Sequence, residues 1–408
     1  MAKALAGAPQ RVIIRNARKI DACGIQEDFW LVAVDGVILA TGQGGATLGD
    51  ACRAVGFPAD FDAESEAIDA RGAVLTPGYV DIHAHGAWGS SFDDGPAAIA
   101  TARAGHAMHG TTRQVLSLIT NPVGVMASNL RMVRRVCDQR PDCLGAHLEG
   151  PFLALSRKGA HDPKELRDPT DDIVDRLLEA ADGAIRQITI APELEHGVRA
   201  IGRFAQAGVV PAVGHTDADY ETARRGFDAG ARILTHVFNA MNGIHHRQPG
   251  PIPAALDDGR VHIELINDGF HVQDPAVRLA YTLFEGCTVF ITDAMAATDC
   301  PDGSYKLGAL DVEVKDGHAR LVSNGAIAGS TLTLDVAVRR AVRTLGFAAP
   351  KAVESATLNP ARALGLDHPN AVTGAPIGLL APGYAADILL QDDDWNVHSV
   401  WCAGRRLV

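Results

Sequence analysis

Aromatic residues make up only 5% of the 408-residue chain, and no stretch interleaves them with basic residues as a single-strand nucleic-acid groove does. Positive charge is scarce too: 37 Lys and Arg stand against 49 Asp and Glu, a formal charge of −12. Nucleic-acid proteins carry a basic face, so this balance argues against that class. An anionic substrate would have to be met by a few placed Arg or His rather than by general attraction. No apolar run approaches the roughly 18 residues of a membrane span. The opening MAKALAGAPQRVIIRNARKI lacks the apolar centre of a signal peptide. The seven cysteines (Cys23, Cys52, Cys137, Cys143, Cys287, Cys300 and Cys402) are scattered, odd in number and contain no CxxC. That argues against a disulfide framework and a Cys-type zinc site, and makes a cytoplasmic location the expectation.

What the chain does have is 42 Gly and 47% apolar residues, as in a compact fold with many tight turns. At about 150 residues per domain, its length suits two or three domains, or one large barrel with an accessory. The first segment reads as strands: RVIIRNARKI, FWLVAVDGVILATG and AVLTPG are rich in β-branched residues and broken by Gly or Asp turns. The last reads the same way, with strands near Ala386–Leu390 and Val397–Ala403. Between them, strands at Val80–His85, Arg113–Ile119, Leu144–Leu148, Gln187–Pro192, Val209–Gly214, Ile233–Val237, His262–Ile266 and Thr288–Thr292 alternate with helical stretches. The helical stretches are Ala97–His109, Val123–Gln139, Thr170–Ala181, Gly197–Ala207, Asp219–Asp228 and Ala276–Phe284. This alternation predicts an α/β protein, a (β/α)8 TIM barrel with a small β-sandwich domain built from both termini. The expected division is 1–75 plus 370–408 for the β domain and 76–369 for the barrel.

Metal-type ligands fall at the ends of the predicted strands. His83 and His85, two apart in PGYVDIHAHG, share one side of a strand. Glu149 closes the third barrel strand, His215 the fifth, His236 the sixth and Asp293 the eighth. Five strands thus deliver ligands to the C-terminal rim, where barrel enzymes place their chemistry. Imidazole with carboxylate suits zinc, or iron, cobalt or nickel. Any one of these residues alone reads as an incidental pair, a hydrogen-bonded core His or a helix cap; their coincidence at one rim does not.

PGYVDIHAHG, HLEGPF with KGAH, GHTDA, THVFNAMNGI, RQPGP, DGFH, TDAMAA, SNGAIAGSTLTLD, ATLNPARALGL and LAPGYAADILL together resemble the amidohydrolase superfamily and, within it, the N-acetylglucosamine-6-phosphate deacetylase family. The resemblance runs from about Arg11 to Val408. It implies metal-dependent hydrolysis of the acetamide of an N-acetylated amino-sugar phosphate, with Glu149, His215 and His236 as the core ligands. One or two ions per subunit are implied, because His83 and His85 are both kept; Glu149 would bridge and Asp293 would touch the second ion. A metal-activated water is the implied nucleophile, with Asp293 as general base and then acid, and His161 of KGAH polarises the acetyl carbonyl. Arg247 and His271 match the phosphate contacts, and backbone N–H groups around Asn239 and Ala240 help hold the sugar and its phosphate. Arg247 is expected from the neighbouring subunit, which implies a homodimer. The stretch PIPAALDD, where many relatives have a Gly- and Ala-richer turn, reads as a loop stiffened by Pro251 and Pro253. His245 and His246 beside Arg247 are further departures. The rival readings are a relative acting on another N-acyl substrate (the galactosamine epimer or an N-acyl amino acid) and a barrel used only for assembly, which would have lost some of these ligands.

Overall fold

The computed structural model describes residues 10–58 and 60–408. Residues 1–9, which open the stretch read as lacking a leader and the segment assigned to the β domain, lie outside the described residues. Eight parallel strands form one sheet in chain order: Tyr79–Asp81, Thr111–Ile119, Cys143–Glu149, Ile185–Ile190, Val210–Val213, Ile233–Leu234, His262–Ile266 and Thr288–Ile291. The first and last strands meet at a seam. There the Asp293 N–H donates to the His83 carbonyl at 2.8 Å and the Thr292 hydroxyl to Asp81 at 2.6 Å. Helices cover the outside, as right-handed βα units require. All nine residues of Thr111–Ile119 are buried, as befits a strand walled on both faces.

The six helices read from sequence are present within one or two residues at each end. Several elements were not read. Residues 251–258 are a helix, not a stiffened loop. Pro251 and Pro253 occupy its first turn, where no intrahelical N–H is needed and proline's φ is already helical. Helices Leu334–Arg343, Ala349–Ala356 and Leu358–Ala363 follow the eighth barrel strand. Between strand and helices lies a three-stranded antiparallel sheet, Gly303–Leu307, Leu310–Lys315 and His318–Leu321.

The second large sheet draws strands from both ends of the chain. Its order is Arg405–Arg406, Val397–Cys402, Ile388–Gln391, Val74–Pro77, Arg11–Asp21, Gly24–Val34 and Val37–Gln43, with Ile68–Asp69 beside Arg11–Asp21. Alternation explains its two dry faces. Val12, Ile14, Leu31 and Ile388 pack to one side, while Ile13, Trp30 and Val32 pack to the other, against Leu48 and Cys52 of the helix Leu48–Ala54. A buried ion pair docks this sheet on the barrel: Arg113 reaches both oxygens of Asp387, at 2.6 and 3.0 Å.

Candidate active site

The candidate ligands sit on the C-terminal rim through a repeated local device. The fifth, sixth and eighth strands end at Val213, Leu234 and Ile291, and His215, His236 and Asp293 lie two residues beyond those ends. Each is in left-handed backbone, with φ of 47°, 26° and 50°. Non-glycine residues rarely take that conformation, and where they do the surroundings must enforce it. His83 is likewise two residues past its strand, which stops at Asp81, so the His83–His85 pair stands on irregular backbone rather than on one face of a strand. Asp81 explains the early stop, because its buried carboxyl turns back to the His83 N–H and to Thr292 across the seam. Burial pushes that carboxyl up to about 6.

These turns bring the side chains together. Glu149 Oε1 is 3.1 Å from His215 Nε2, 3.2 Å from His236 Nε2 and 3.3 Å from His83 Nε2. Its Oε2 is 3.0 Å from His85 Nε2 and 3.4 Å from His161 Nε2. Asp293 Oδ1 faces His85 and His83 at 3.6 and 3.7 Å, and its residue is the most open of the group. Two triads result, Glu149–His215–His236 and His83–His85–Asp293, each with ligand atoms within 4.8 Å of one another. Their donor set fits a divalent cation on three observations. The Nε2 atoms of His215 and His236 face each other at 3.0 Å, a contact that a shared cation relieves. Buried His83 Nε2 has no hydrogen-bond partner and points into the cluster. Finally, the opposite ring nitrogens are held from behind: His215 Nδ1 donates to the Arg157 carbonyl at 2.8 Å, and His83 Nδ1 stands 3.0 Å from Glu264. That backing fixes which nitrogen turns its lone pair inward.

The electrostatics follow from burial against this charge. Burial raises the Glu149 carboxyl, but His83 and hydrogen bonds from His161, His215 and His236 outweigh it and hold the group well below its usual range. Burial lowers His83, and Glu149, Glu264 and Asp293 more than reverse that. For His161 burial prevails and takes the imidazole down to about 4, so it is neutral at pH 7. Its Nδ1 and the Glu149 carbonyl both lie 2.9 Å from the Thr120 hydroxyl, which has one proton to give. A carbonyl can only accept, so that proton goes to Glu149. The Thr120 oxygen accepts from the Nδ1–H of His161, which turns the Nε2 lone pair of the neutral ring toward the site.

A pocket of about 330 Å³ opens over the cluster, lined by His85, Glu149, His161, His215, His236, Asn239, Ala240, His271 and Asp293. His271 Nδ1 is anchored 2.6 Å from Asp268. The Asn239 N–H is committed to the His236 carbonyl at 2.9 Å, so of the two amides expected to hold substrate it is Ala240's that is left to donate. Arg247 does not enter this pocket. It is exposed in a cleft with Asp217, Asn242 and His245, beyond the bonds that tie Arg157 to Asp217 and Asn242. The loop carrying Gly329 lines the same pocket. Gly329 has φ 66°, and a Cβ there would lie 2.9 Å from the Asp293 carbonyl, so only glycine lets the chain pass this closely.

Sequence reasoning missed the support beneath the site. Glu264, fully buried, also accepts from Gln187 Nε2 at 2.6 Å and from the His236 N–H at 3.2 Å. His147 stacks edge-on to His83 and bridges Ser117 and Thr189, at 2.9 Å each. The available signal was a polar residue inside an otherwise apolar strand, as in HIELI and LGAHLE.

The chain belongs to the amidohydrolase family, which residues 74–407 match. More narrowly, its relatives are deacetylases of phosphorylated amino sugars. It is 35% identical to the N-acetylgalactosamine-6-phosphate deacetylase of Escherichia coli O157:H7, over 81% of this chain and 87% of that one. It is 33% identical to the N-acetylglucosamine-6-phosphate deacetylase of Vibrio furnissii, over 85% and 86%. A solved mutant of N-acetyl-D-glucosamine-6-phosphate deacetylase from Mycobacterium smegmatis, in complex with N-acetyl-D-glucosamine-6-phosphate, superposes with a TM-score of 0.87 at 37% identity, covering 98% of this chain and 100% of that one.

Proposed function

We propose that this protein hydrolyses the acetamide of N-acetyl-D-glucosamine 6-phosphate to D-glucosamine 6-phosphate and acetate. The observation that carries the reading is the paired triad around Glu149 at the floor of a pocket that also presents His271. Glu149, His215 and His236 would hold one divalent cation, zinc by preference, and His83, His85 and Asp293 a second. A cation held there supplies Lewis acidity toward water and carbonyl. Asp293 takes the proton from the attacking water and delivers it to the departing nitrogen. His161, anchored through its Nδ1 on Thr120, faces the acetyl carbonyl with Nε2 and polarises the oxygen that gains charge when that nitrogen carries a proton. His271, oriented by Asp268, and the Ala240 N–H face the sugar phosphate.

Arg247 completes the phosphate site from a neighbouring subunit, which makes the working unit a homodimer. No described helix is long and apolar enough to cross a membrane, and with scattered free cysteines this supports a cytoplasmic enzyme. The test is kcat/KM of the metal-loaded protein on N-acetylglucosamine 6-phosphate, its galactosamine epimer and the unphosphorylated sugar. Strong preference for the phosphorylated glucosamine is expected; no turnover of either phosphate sinks the assignment. For the shared site, the Asp293→Asn and Arg247→Ala proteins are unfolded together and refolded. Activity that neither parent has is expected, and its absence places Arg247 outside the neighbour's site.

A further inference from the structure

The pocket over the metal-type cluster has an apolar side, where Ile119, Ala160 and Leu307 line it along with Ala326 and Ile327. Ile119 is the strand partner of Glu149, Ala160 precedes His161, and Leu307 ends the first strand of the three-stranded sheet. All three are buried and belong to one apolar cluster with Met295 and Ala297. They line the 330 Å³ pocket on one side and, on the other, a second cavity of about 170 Å³ bounded by Thr120, Pro122, Asp162 and Leu310. The partition is therefore about one side chain thick. The turn behind it is seated close, since a Cβ on Gly308 (φ 57°) would lie 3.2 Å from Ile119 Cγ2.

We propose that Leu307, with Ile119 and Ala160, is the wall that limits the acyl group this enzyme removes to acetyl, and that the cavity behind it is space a longer acyl chain would need. This rests on the function proposed above. If the scissile carbon sits between Asp293 and His161, the acyl substituent opposite the sugar is the part of the substrate left to face Ile119, Ala160 and Leu307. These offer no hydrogen bond, only shape, and one misfit methylene in an apolar pocket is worth about ten- to two-hundredfold in specificity.

The experiment measures kcat/KM on the N-acetyl, N-propionyl and N-butyryl derivatives of glucosamine 6-phosphate for metal-loaded wild type, Leu307→Ala and Leu307→Val. Wild type should fall about tenfold or more per added methylene. Leu307→Ala should narrow the acetyl-to-butyryl ratio by about tenfold or more, and Leu307→Val the acetyl-to-propionyl ratio by a smaller factor. If the alanine protein does not fold, the valine protein, one methylene smaller, carries the test. Turnover of the acetyl substrate with unchanged ratios overturns the wall alone. No turnover of it by wild type overturns the proposed function, and the wall with it.

Discussion

Asp293 and Glu264 show how two carboxylates within one cluster are given different work. Asp293 is the most open member, in left-handed backbone and held there by its own N–H on His83 and its carbonyl on the Ser330 N–H at 2.7 Å. It can reach a substrate proton. Asp293→Asn should therefore lower kcat by about 10²- to 10⁴-fold, the usual worth of a positioned acid–base group. The protein should stay folded and keep the ion of the Glu149–His215–His236 triad, any metal loss being confined to the His83–His85–Asp293 triad; turnover within tenfold of wild type removes Asp293 from that role. Glu264 is sealed beneath the cluster and touches only protein, through His83, Gln187 and the His236 N–H. It orients the candidate ligands His83 and His236. Glu264→Gln should weaken metal affinity about 10- to 100-fold, as loss of a carboxylate behind a ligating imidazole does. Titration with a metal-competing chelator measures it, and an unchanged affinity would show that His83 needs no such support.

At the level of elements, the contact between the two sheets combines apolar packing, in which Ile20, Val74, Leu389 and Val400 join the barrel core, with the buried pair of Arg113 and Asp387. Both are almost wholly buried, and Asp387 also accepts from the Ala403 N–H at 2.7 Å. Burial lowers the Arg113 guanidinium, but Asp387 more than compensates and holds it above its ordinary value. Asp387→Ala leaves a buried guanidinium without its partner and should destabilise the fold by about 3–5 kcal/mol. Replacing both, as Arg113→Met with Asp387→Leu, should recover much of that loss, because no uncompensated charge remains. Equilibrium unfolding in urea distinguishes the cases; equal losses for the single and double replacements would mean that the pair acts through shape rather than charge.

Across the whole molecule, buried neutral imidazoles weaken the fold in acid. Burial, aided by the Arg103 charge, takes His106 from 6.5 to about 3, and burial takes His262 to about 4. Below pH 6.5 the unfolded chain takes up protons that the fold refuses. The stability these groups contribute is complete above pH 6.5 and is lost as pH falls toward 4 and then 3. The slope for a single such group approaches about 1.4 kcal/mol per pH unit. Asp142 acts further down. Burial raises it, but Arg103 and Arg140 bring it to about 2, so its contribution is present above its ordinary 3.8 and lost between there and 2. Asp81 and Asp93, raised by burial to about 6, act in the opposite sense, because the fold takes up their protons first. Melting temperature should hold level from pH 8 to 7, and the His106 share should appear as a fall from pH 6.5 to 5. His106→Gln, compared at the same metal loading, should flatten that fall; an unaltered slope would remove His106 as a cause.

The barrel, six of its helices and the rim position of the six candidate ligands were legible in the chain, because period-two and period-3.6 burial and the strand-end placement of His83, His85, Glu149, His215, His236 and Asp293 are local patterns. The helix at residues 251–258 was legible in principle, since proline belongs in a first helical turn. The sheet of residues 303–321 was not, because its strands are half exposed and take their meaning from packing over Ile119 and Ala160. Convergence is another matter. The left-handed turns at His215, His236 and Asp293, the backing by Glu264 and Thr120, and the apolar partition at Leu307 all depend on residues far apart in the chain meeting at distances of a few ångströms. Local preference specifies which elements form and which side chains they carry. Only closure of the barrel, which forces eight strand ends into one small ring, sets the distances among those side chains and hence their charge and chemistry.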